Sequence, residues 1–164
     1  MALPHPDAAT ATAIIRGRTE ITAHFASLPF QEQELARKPA AHIVTSSYEI
    51  EGGPSSATVL YATEKFRNDN PKTYRAFVAA LDQAATFVTA HPEQAADMFL
   101  RRNGSGIDRA SVLQILKDRK VQFTVAPQNT LGLGKFMQHS GAIKQAPGKL
   151  GDYFFDDPLI AGGS

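Results

Sequence analysis

Acid–base or metal chemistry in this 164-residue sequence would fall to five histidines, His5, His24, His42, His91 and His139, and to the neighbouring carboxylates Glu49 and Glu51. No two of the histidines stand at the HExxH spacing that puts a ligand pair on one helix face, and no serine lies in a GxSxG elbow. Zero cysteines rule out disulfides, thiolate metal sites and a cysteine nucleophile together. Glu49 and Glu51 have no second acidic pair of defined geometry, so they read as solvated residues and not as an acid/base couple. Arg101-Arg102 precede Gly104-Ser105-Gly106, the reverse of a phosphate cradle, whose glycines come before a helix that begins with Lys-Ser or Lys-Thr. No enzyme mechanism and no cofactor follow from these residues.

The elements that would position a binding site begin with Gly17 to Gln31, GRTEITAHFASLPFQ. Before it, Pro6-Asp7 opens a segment with Ala8, Ala11, Ile14 and Ile15 at helical spacing, and Gly17 supplies the stop. Ile21 to Phe25 then reads as a strand whose polar tip, Ala26 to Pro29, runs into a helix from Pro29 to Lys38. Helix, strand, tip and helix is α/β grammar, and ligands of such folds sit beyond the carboxyl end of a strand at a helix N-terminus. Ser27, Leu28 and Pro29 occupy that position. The plainer reading of the same residues is a turn in which Ser27 caps the helix and Pro29 takes its first position. His24, alone on the strand, reads as an interior, hydrogen-bonded histidine.

Further on, Ala41 to Thr45 reads as a second strand and Thr58 to Ala62 as a third β-rich run, with Gly52-Gly53-Pro54 breaking regular structure between them. The clearest helix starts at Asn70-Pro71 and ends at His91-Pro92, with Tyr74, Phe77, Val78, Leu81, Ala84, Ala85 and Val88 at three- and four-residue intervals. That stripe predicts a buried face, on which truncating Phe77 or Leu81 to alanine costs about 2 to 5 kcal/mol. A helix from Pro92 carries Ala95, Ala96, Met98 and Phe99, and Gly104-Ser105-Gly106 is a flexible turn after it. Asp108 caps another helix, with Val112, Ile115 and Leu116. Val121 to Val125 alternates as a short strand or extended segment, and Gln128-Asn129 opens a final helix with Leu133, Phe136 and Met137, stopped at Gly141. Tyr153, Phe154 and Phe155 pin an irregular tail.

Composition narrows the class. Seventeen basic against sixteen acidic residues give no strong field for nucleic acid or an anionic membrane. A hydrophobic content of 43% without a long apolar run predicts a folded globule with no membrane span. There are no repeats and no linker to a second independent domain.

Three blocks of wording carry a family resemblance: PHPDAATATAIIRGRTEITAHFASLPFQ, then HIVTSSYEIEGGPSSATVLYATEKF, then NPKTYRAFVAALDQAATFVTAHPEQAA. With VQFTVAPQNTLGLGKFMQHSGAIK and DYFF further on, the order resembles the C-terminal half of an ABC-importer solute-binding protein of the nitrate, sulfonate and taurine type, over nearly the whole chain. The resemblance implies an α/β chain that is a fragment of a type II periplasmic-binding-protein fold, helix-rich in its C-terminal two-thirds. Residues 1–50 would be the remaining part of the second lobe, and 51–164 the returning part of the first lobe with the C-terminal helices. It also implies that the chain crosses between lobes near Gly52-Gly53, where a plain surface turn would use the same residue types.

For function, the expected ligand-binding set is Ser27, Leu28 and Pro29, from their place at a strand end beside a helix N-terminus, with Tyr48, Gly52 and Gly53, from the crossing between lobes that the resemblance implies. The resemblance also implies a small nitrogen- or sulfur-containing anion as ligand and an ABC permease as partner, with no cofactor, metal or nucleic acid. The alternatives are a sensing or enzymatic module on the same fold, or a binder of a thiamine-precursor-like pyrimidine, for which Phe25, Phe30 and Tyr48 are the aromatic candidates. The family is periplasmic, whereas MALPHPDAAT has no basic region followed by an apolar stretch and so no secretory signal. Surfaces normally covered by the first half of such a protein lead us to expect a homodimer using Ile21 to Phe25, Thr58 to Ala62 and Tyr74 to Val88. The competing expectation is a monomer whose tail folds over the gap.

Overall fold

The computed structural model describes residues 2–3, 8–17, 20–56, 58–103 and 107–164. The helix opener Pro6-Asp7, His5, and the Gly104-Ser105-Gly106 turn lie outside the described residues, as do Arg18, Thr19 and Ala57. The chain divides into two compact units, Met1–Val44 with Pro92–Asp118, and Thr45–His91 with Arg119–Ser164. Among the described residues no helix is long and apolar enough to cross a membrane.

The first unit opens with β1 (Ala2–Leu3), α1 (Ala8–Arg16), β2 (Ala23–His24) and α2 (Phe30–Arg37). β1 and β2 run parallel, with Ala2 opposite Ala23 and Leu3 opposite His24. Gly17 ends α1 as its sequence position predicts: at φ 66° it is left-handed, and its N–H donates to the carbonyls of Ala13 and Ile14 at 3.2 and 3.1 Å. Lys38 Nζ donates to the Ile14 carbonyl at 2.9 Å, tying the end of α2 to the end of α1, where a cation also suits the negative pole of the helix.

The rest of this unit is α6 (Pro92–Asn103) packed on α7 (Arg109–Lys117). Asp108 caps α7 as expected, its carboxylate accepting the Ser111 N–H at 3.0 Å and the Ser111 hydroxyl at 2.8 Å. Ala11, Ala95, Ala96 and Val112 are the buried hydrophobic residues of the described chain, and all four belong to this unit. Met98 and Phe99, expected on the apolar side of α6, are exposed. Two ion pairs on the surface link α6 and α7: Arg109 Nε to Asp97 Oδ1, and Lys117 Nζ to Glu93 Oε1, both at 2.6 Å.

The second unit holds α3 (Ser47–Glu51), α4 (Glu64–Asp69), the 20-residue α5 (Pro71–Ala90) and α8 (Thr130–His139), followed by a 3-10 turn at Leu150–Asp152. Asn70 stands before Pro71 as predicted, but its amide donates back to the Phe66 carbonyl at 3.1 Å and so closes α4 without capping α5. No residue of α5 is buried; Phe77 is 53% exposed and Leu81 38%. The buried face expected for this helix is therefore uncovered: α4 lies against it, the Phe155 ring of the tail stands edge-on to Tyr74 at 5.6 Å, and Arg75 and Val78 share a pocket with Asp157, Pro158 and Leu159, yet none of these buries it. Leu133 and Phe136 of α8 are likewise exposed, and the buried positions of that helix are Thr130 and Gly134. At Gly134 a β-carbon would stand 2.8 Å from Pro147 Cδ, so the small residue admits the return of the chain.

Neither Ala41 to Thr45 nor Thr58 to Ala62 forms a strand, and Ile21 to Phe25 does so only at Ala23–His24. Their β-prone composition is real, but a strand exists only as a ladder, and they find no partner among the described residues. Val59, Leu60 and Tyr61 are instead 57%, 62% and 96% exposed. Val121 to Val125 forms no ladder either.

Candidate functional site

The expected site residues form two groups, one in each unit. In the first unit, Ser27, Leu28 and Pro29 make the turn from β2 into α2. The Ser27 carbonyl accepts the N–H of Phe30 at 2.9 Å and of Gln31 at 3.4 Å. Pro29 takes the N-cap position with no side-chain cap, so neither the Ser27 hydroxyl cap nor Pro29 as first helical residue is what the chain adopts. Two of the orphan N–H groups that make a helix start an anion site are thus directed to Ser27's own carbonyl. Glu32 adds a carboxylate in the first turn of α2, accepting the Gln31 amide at 3.3 Å, and a negative charge there opposes a bare anion.

Beside this turn, the last residue of β2 meets α2 through its side chain. The His24 side chain is 0% exposed, and its Nδ1 stands 3.0 Å from Glu34 Oε1, whose side chain is 13% exposed. The separation is that of a hydrogen bond, while the alignment falls short of one, and among the described residues neither ring nitrogen has a hydrogen-bond partner. Interior placement of His24 is as predicted, but the hydrogen bond expected for it is not formed among the described residues; Glu34 as its neighbour was not legible, since the two residues are ten apart and belong to different elements. The aromatic candidates differ here: Phe25 is 72% exposed, and Phe30 is half-buried.

In the second unit, Tyr48, Gly52 and Gly53 lie together on α3 and its exit. Ser46 and Glu49 form a reciprocal capping box, the Glu49 N–H donating to Ser46 Oγ at 3.4 Å and the Ser46 N–H to Glu49 Oε2 at 3.1 Å. Glu49 is therefore exposed, as expected, but employed in starting a helix. Gly52 at φ 76° and Gly53 at φ 153° end that helix in conformations few other residues adopt. The Tyr48 hydroxyl donates to the Lys120 carbonyl, and Asn129 Nδ2 donates to the Glu51 carbonyl at 3.2 Å, so α3 is moored to the segment before α8.

A cavity of about 470 Å³ in the same unit is lined by Leu131, Lys149, Phe154, Phe155 and Asp156 among others. Its walls are the predicted aromatic tail, held by contacts that the sequence does not advertise. Arg67 lies over the rings of Tyr74 at 5.5 Å and Phe155 at 4.9 Å, and donates to the Asp156 carbonyl at 3.1 Å. Burial raises the Tyr74 pKa above the ordinary tyrosine value, the Asp157 charge adds to the rise, and Arg67 opposes it. At the start of α8 the Ser164 carbonyl accepts from Thr130 N at 2.8 Å and Oγ1 at 3.0 Å, and Ser164 Oγ accepts from Asn129 N at 3.0 Å. The Thr130 hydroxyl also meets the Tyr153 hydroxyl at 2.6 Å.

His42, His91 and His139 are exposed, and the described residues hold no group of three or more His, Cys, Asp or Glu able to hold a metal ion. Arg101 and Arg102 are exposed at the end of α6.

These features define a helix-rich chain with a strand-to-helix turn at Ser27 to Pro29 and a helix exit at Gly52-Gly53, and its sequence has a family. The NMT1/THI5-like family matches residues 3–95, more than half of the 164-residue chain, and the chain belongs to it. That family comprises solute-binding proteins of ABC systems for nitrate, sulfonate and taurine together with thiamine-precursor binders, and most of its members bind and are not enzymes. Membership with the helix-rich structure points to a periplasmic-binding-like fold and to a solute-binding role in general. The match ends at residue 95, so the wording at 121–144 and 152–155 that also resembled the family lies beyond it. No curated protein and no solved structure matches the chain.

Proposed function

We propose that this chain is the substrate-binding component of an ABC importer, and that it holds a small nitrogen- or sulfur-containing anion of the nitrate, sulfonate or taurine kind for delivery to a membrane permease. The observation that carries the reading is the family match over residues 3–95, which spans both expected site groups. In this reading the chain is part of a two-lobed α/β fold, with residues 1–50 in the second lobe and 51–164 returning to the first. Ser27, Leu28, Pro29, Tyr48, Gly52 and Gly53 are its ligand-binding residues. Glu32 in the first turn of α2 favours a ligand with a positive or N–H-bearing end as well as an anionic one. Taurine fits that description better than nitrate does.

A second reading is favoured by Phe25, whose ring, 72% exposed beside the end of β2, offers a stacking face. It makes the ligand a flat aminopyrimidine of the thiamine-precursor kind. Isothermal titration of the purified chain with taurine, nitrate and 4-aminopyrimidine tests both. Saturable heat with taurine supports the first reading and with 4-aminopyrimidine the second. No heat from any of the three at millimolar concentration overturns solute binding by this chain.

A further inference from the structure

The cavity of about 470 Å³ in the second unit is a built feature, and none of the residues expected to bind solute lines it. Its volume falls within the roughly 300 to 1,000 Å³ of ordinary small-molecule sites. Backbone hydrogen bonds hold its walls: the Leu150 carbonyl accepts the Phe154 N–H at 2.8 Å, the Asp157 carbonyl accepts the Ile160 N–H at 3.0 Å, and the Ser164 N–H donates to the Pro127 carbonyl at 2.8 Å. Gly163, in the lining, permits that last approach, since a β-carbon there would stand 2.5 Å from Pro127 Cγ. A ligand therefore meets a surface already in place, and little of its binding free energy goes into ordering the chain.

The lining combines two chemistries. Leu131, Leu150, Phe154, Phe155 and Ile160 make it largely apolar, while Lys149 and Asp156, both exposed, bring opposite charges to the same space. Among the described residues neither makes an ion pair, with the other or with any third residue. Asp156 gives Arg67 its backbone carbonyl and keeps its carboxylate. Asp157, the other acid in the lining, is partly engaged: Oδ1 accepts the Leu159 N–H at 3.0 Å, and its charge is opposed at Tyr74 by Arg67. One ammonium and one carboxylate therefore stand ready in an apolar lining. The complementary molecule carries one carboxylate, one ammonium and an apolar body.

We propose that this cavity binds an apolar α-amino acid, its carboxylate on Lys149 Nζ, its ammonium on the Asp156 carboxylate and its side chain against Phe154, Phe155 and Ile160. An aromatic amino acid suits it best, because a ring adds offset or edge contact with Phe154 and Phe155 to the area it buries. The site goes beyond the importer reading. It is built from residues 131–163, past the end of the family match at residue 95, and shares no residue with the expected solute set.

An NMR titration resolved by backbone amide, with L-phenylalanine and three relatives at millimolar concentration, tests this. Phenethylamine lacks the carboxylate, 3-phenylpropanoate lacks the ammonium, and glycine lacks the apolar body. L-Phenylalanine is expected to saturate and to move the signals of Gly151 and Ala161, both in the lining. Each single-charge relative should bind about fivefold more weakly, the upper range for an ion pair open to water. Glycine should not saturate. Lys149→Met keeps the aliphatic stem and removes the charge, so L-phenylalanine should fall to the affinity of phenethylamine, whose own binding stays unchanged. Asp156→Asn should bring it to the affinity of 3-phenylpropanoate in the same way. Should either variant fail to fold, the wild-type series and its map of moved signals decide alone. No saturation by L-phenylalanine, equal affinity for the three aromatic compounds, moved signals confined to other parts of the chain, or binding that ignores both substitutions overturns the proposal. None of these results bears on solute binding at Ser27 to Pro29 or Tyr48 to Gly53, which the taurine, nitrate and 4-aminopyrimidine titrations read.

Discussion

Each unit coheres by its own means. In the first, the buried hydrophobic residues are small: Ala11 on α1, Ala95 and Ala96 on α6, and Val112 on α7, which packs against α6, while the charged groups are arranged as caps and ion pairs. In the second, the large apolar residues Phe77, Leu81 and Phe136 remain exposed, while order comes from hydrogen bonds and rings: Ser164 on Thr130, Ser56 on Gln128, Arg67 between Tyr74 and Phe155. Abundant apolar side chains do not by themselves make a core. What matters is whether elements that can cover them are within reach.

The largest test of that contrast lies in the first unit. Val112→Asp would place a charge among apolar neighbours with no partner, and should destabilise the fold by about 3 kcal/mol or more in denaturant melts. A loss no larger than that of a surface substitution would mean that α7 is not packed as described. Next is the latch of the second unit: Thr130→Val keeps shape but removes the partner of the Tyr153 hydroxyl and the second of two donors to the Ser164 carbonyl, which keeps the backbone N–H of residue 130, an expected cost of about 1 kcal/mol. Indifference to this change would show that the tail contributes little.

Phe77→Ala should then cost less than about 1 kcal/mol in a monomer, as for other exposed positions. If the cost rises to the roughly 2 to 5 kcal/mol of a core truncation, and grows with protein concentration, α5 is covered in solution by a second copy, as the expected homodimer requires. Sedimentation equilibrium on the same samples would tie the two measurements together.

The smallest expected effect is a divergence with pH. Asp108 is held below the usual carboxylate range by the Ser111 backbone N–H first and the Ser111 hydroxyl second, Asp97 by Arg109, and Glu93 by Lys117. Depressed carboxylates stabilise above their unfolded pKa, and that stability is lost as pH falls through the folded values. The three belong to the first unit, which should loosen first in acid. Tyr74 moves the other way: its raised pKa makes the unfolded chain lose its proton first, so stability in the second unit falls as pH climbs past the ordinary tyrosine range. Hydrogen exchange resolved by unit at low and high pH reads both, and a uniform response at either end would contradict the division of labour.

Much of the helical scaffold was legible because its punctuation is local. Gly17, Pro71, Pro92, Asp108 and Gly141 each act within four or five residues, and the helix bounds track them closely. The strands were not legible as such: HIVT and TVLYA have the composition of strands, but a ladder needs a second segment at the right place, which no window of sequence contains. The buried side of α5 failed for the same reason, since periodicity shows that a helix has an apolar stripe and is silent about what lies against it. Of the candidate site, the turn at Ser27 to Pro29 and the glycines after α3 could be located. The direction of the Ser27 carbonyl, and the meeting of His24 with Glu34, depend on how separate elements come together.

The closure of α8 by Ser164 also sets an order of events during synthesis. Thr130 and its cap are separated by 34 positions, so the first turn of α8 exists on the nascent chain before anything can close it. At about 5 to 20 residues per second, that interval is on the order of a few seconds. For that time the N–H groups of Asn129 and Thr130 are satisfied by water, and Leu133 and Phe136 stand on a helix free to fray. A ribosome that pauses within this stretch prolongs the same interval, and the window for capture by a chaperone or a protease lengthens with it.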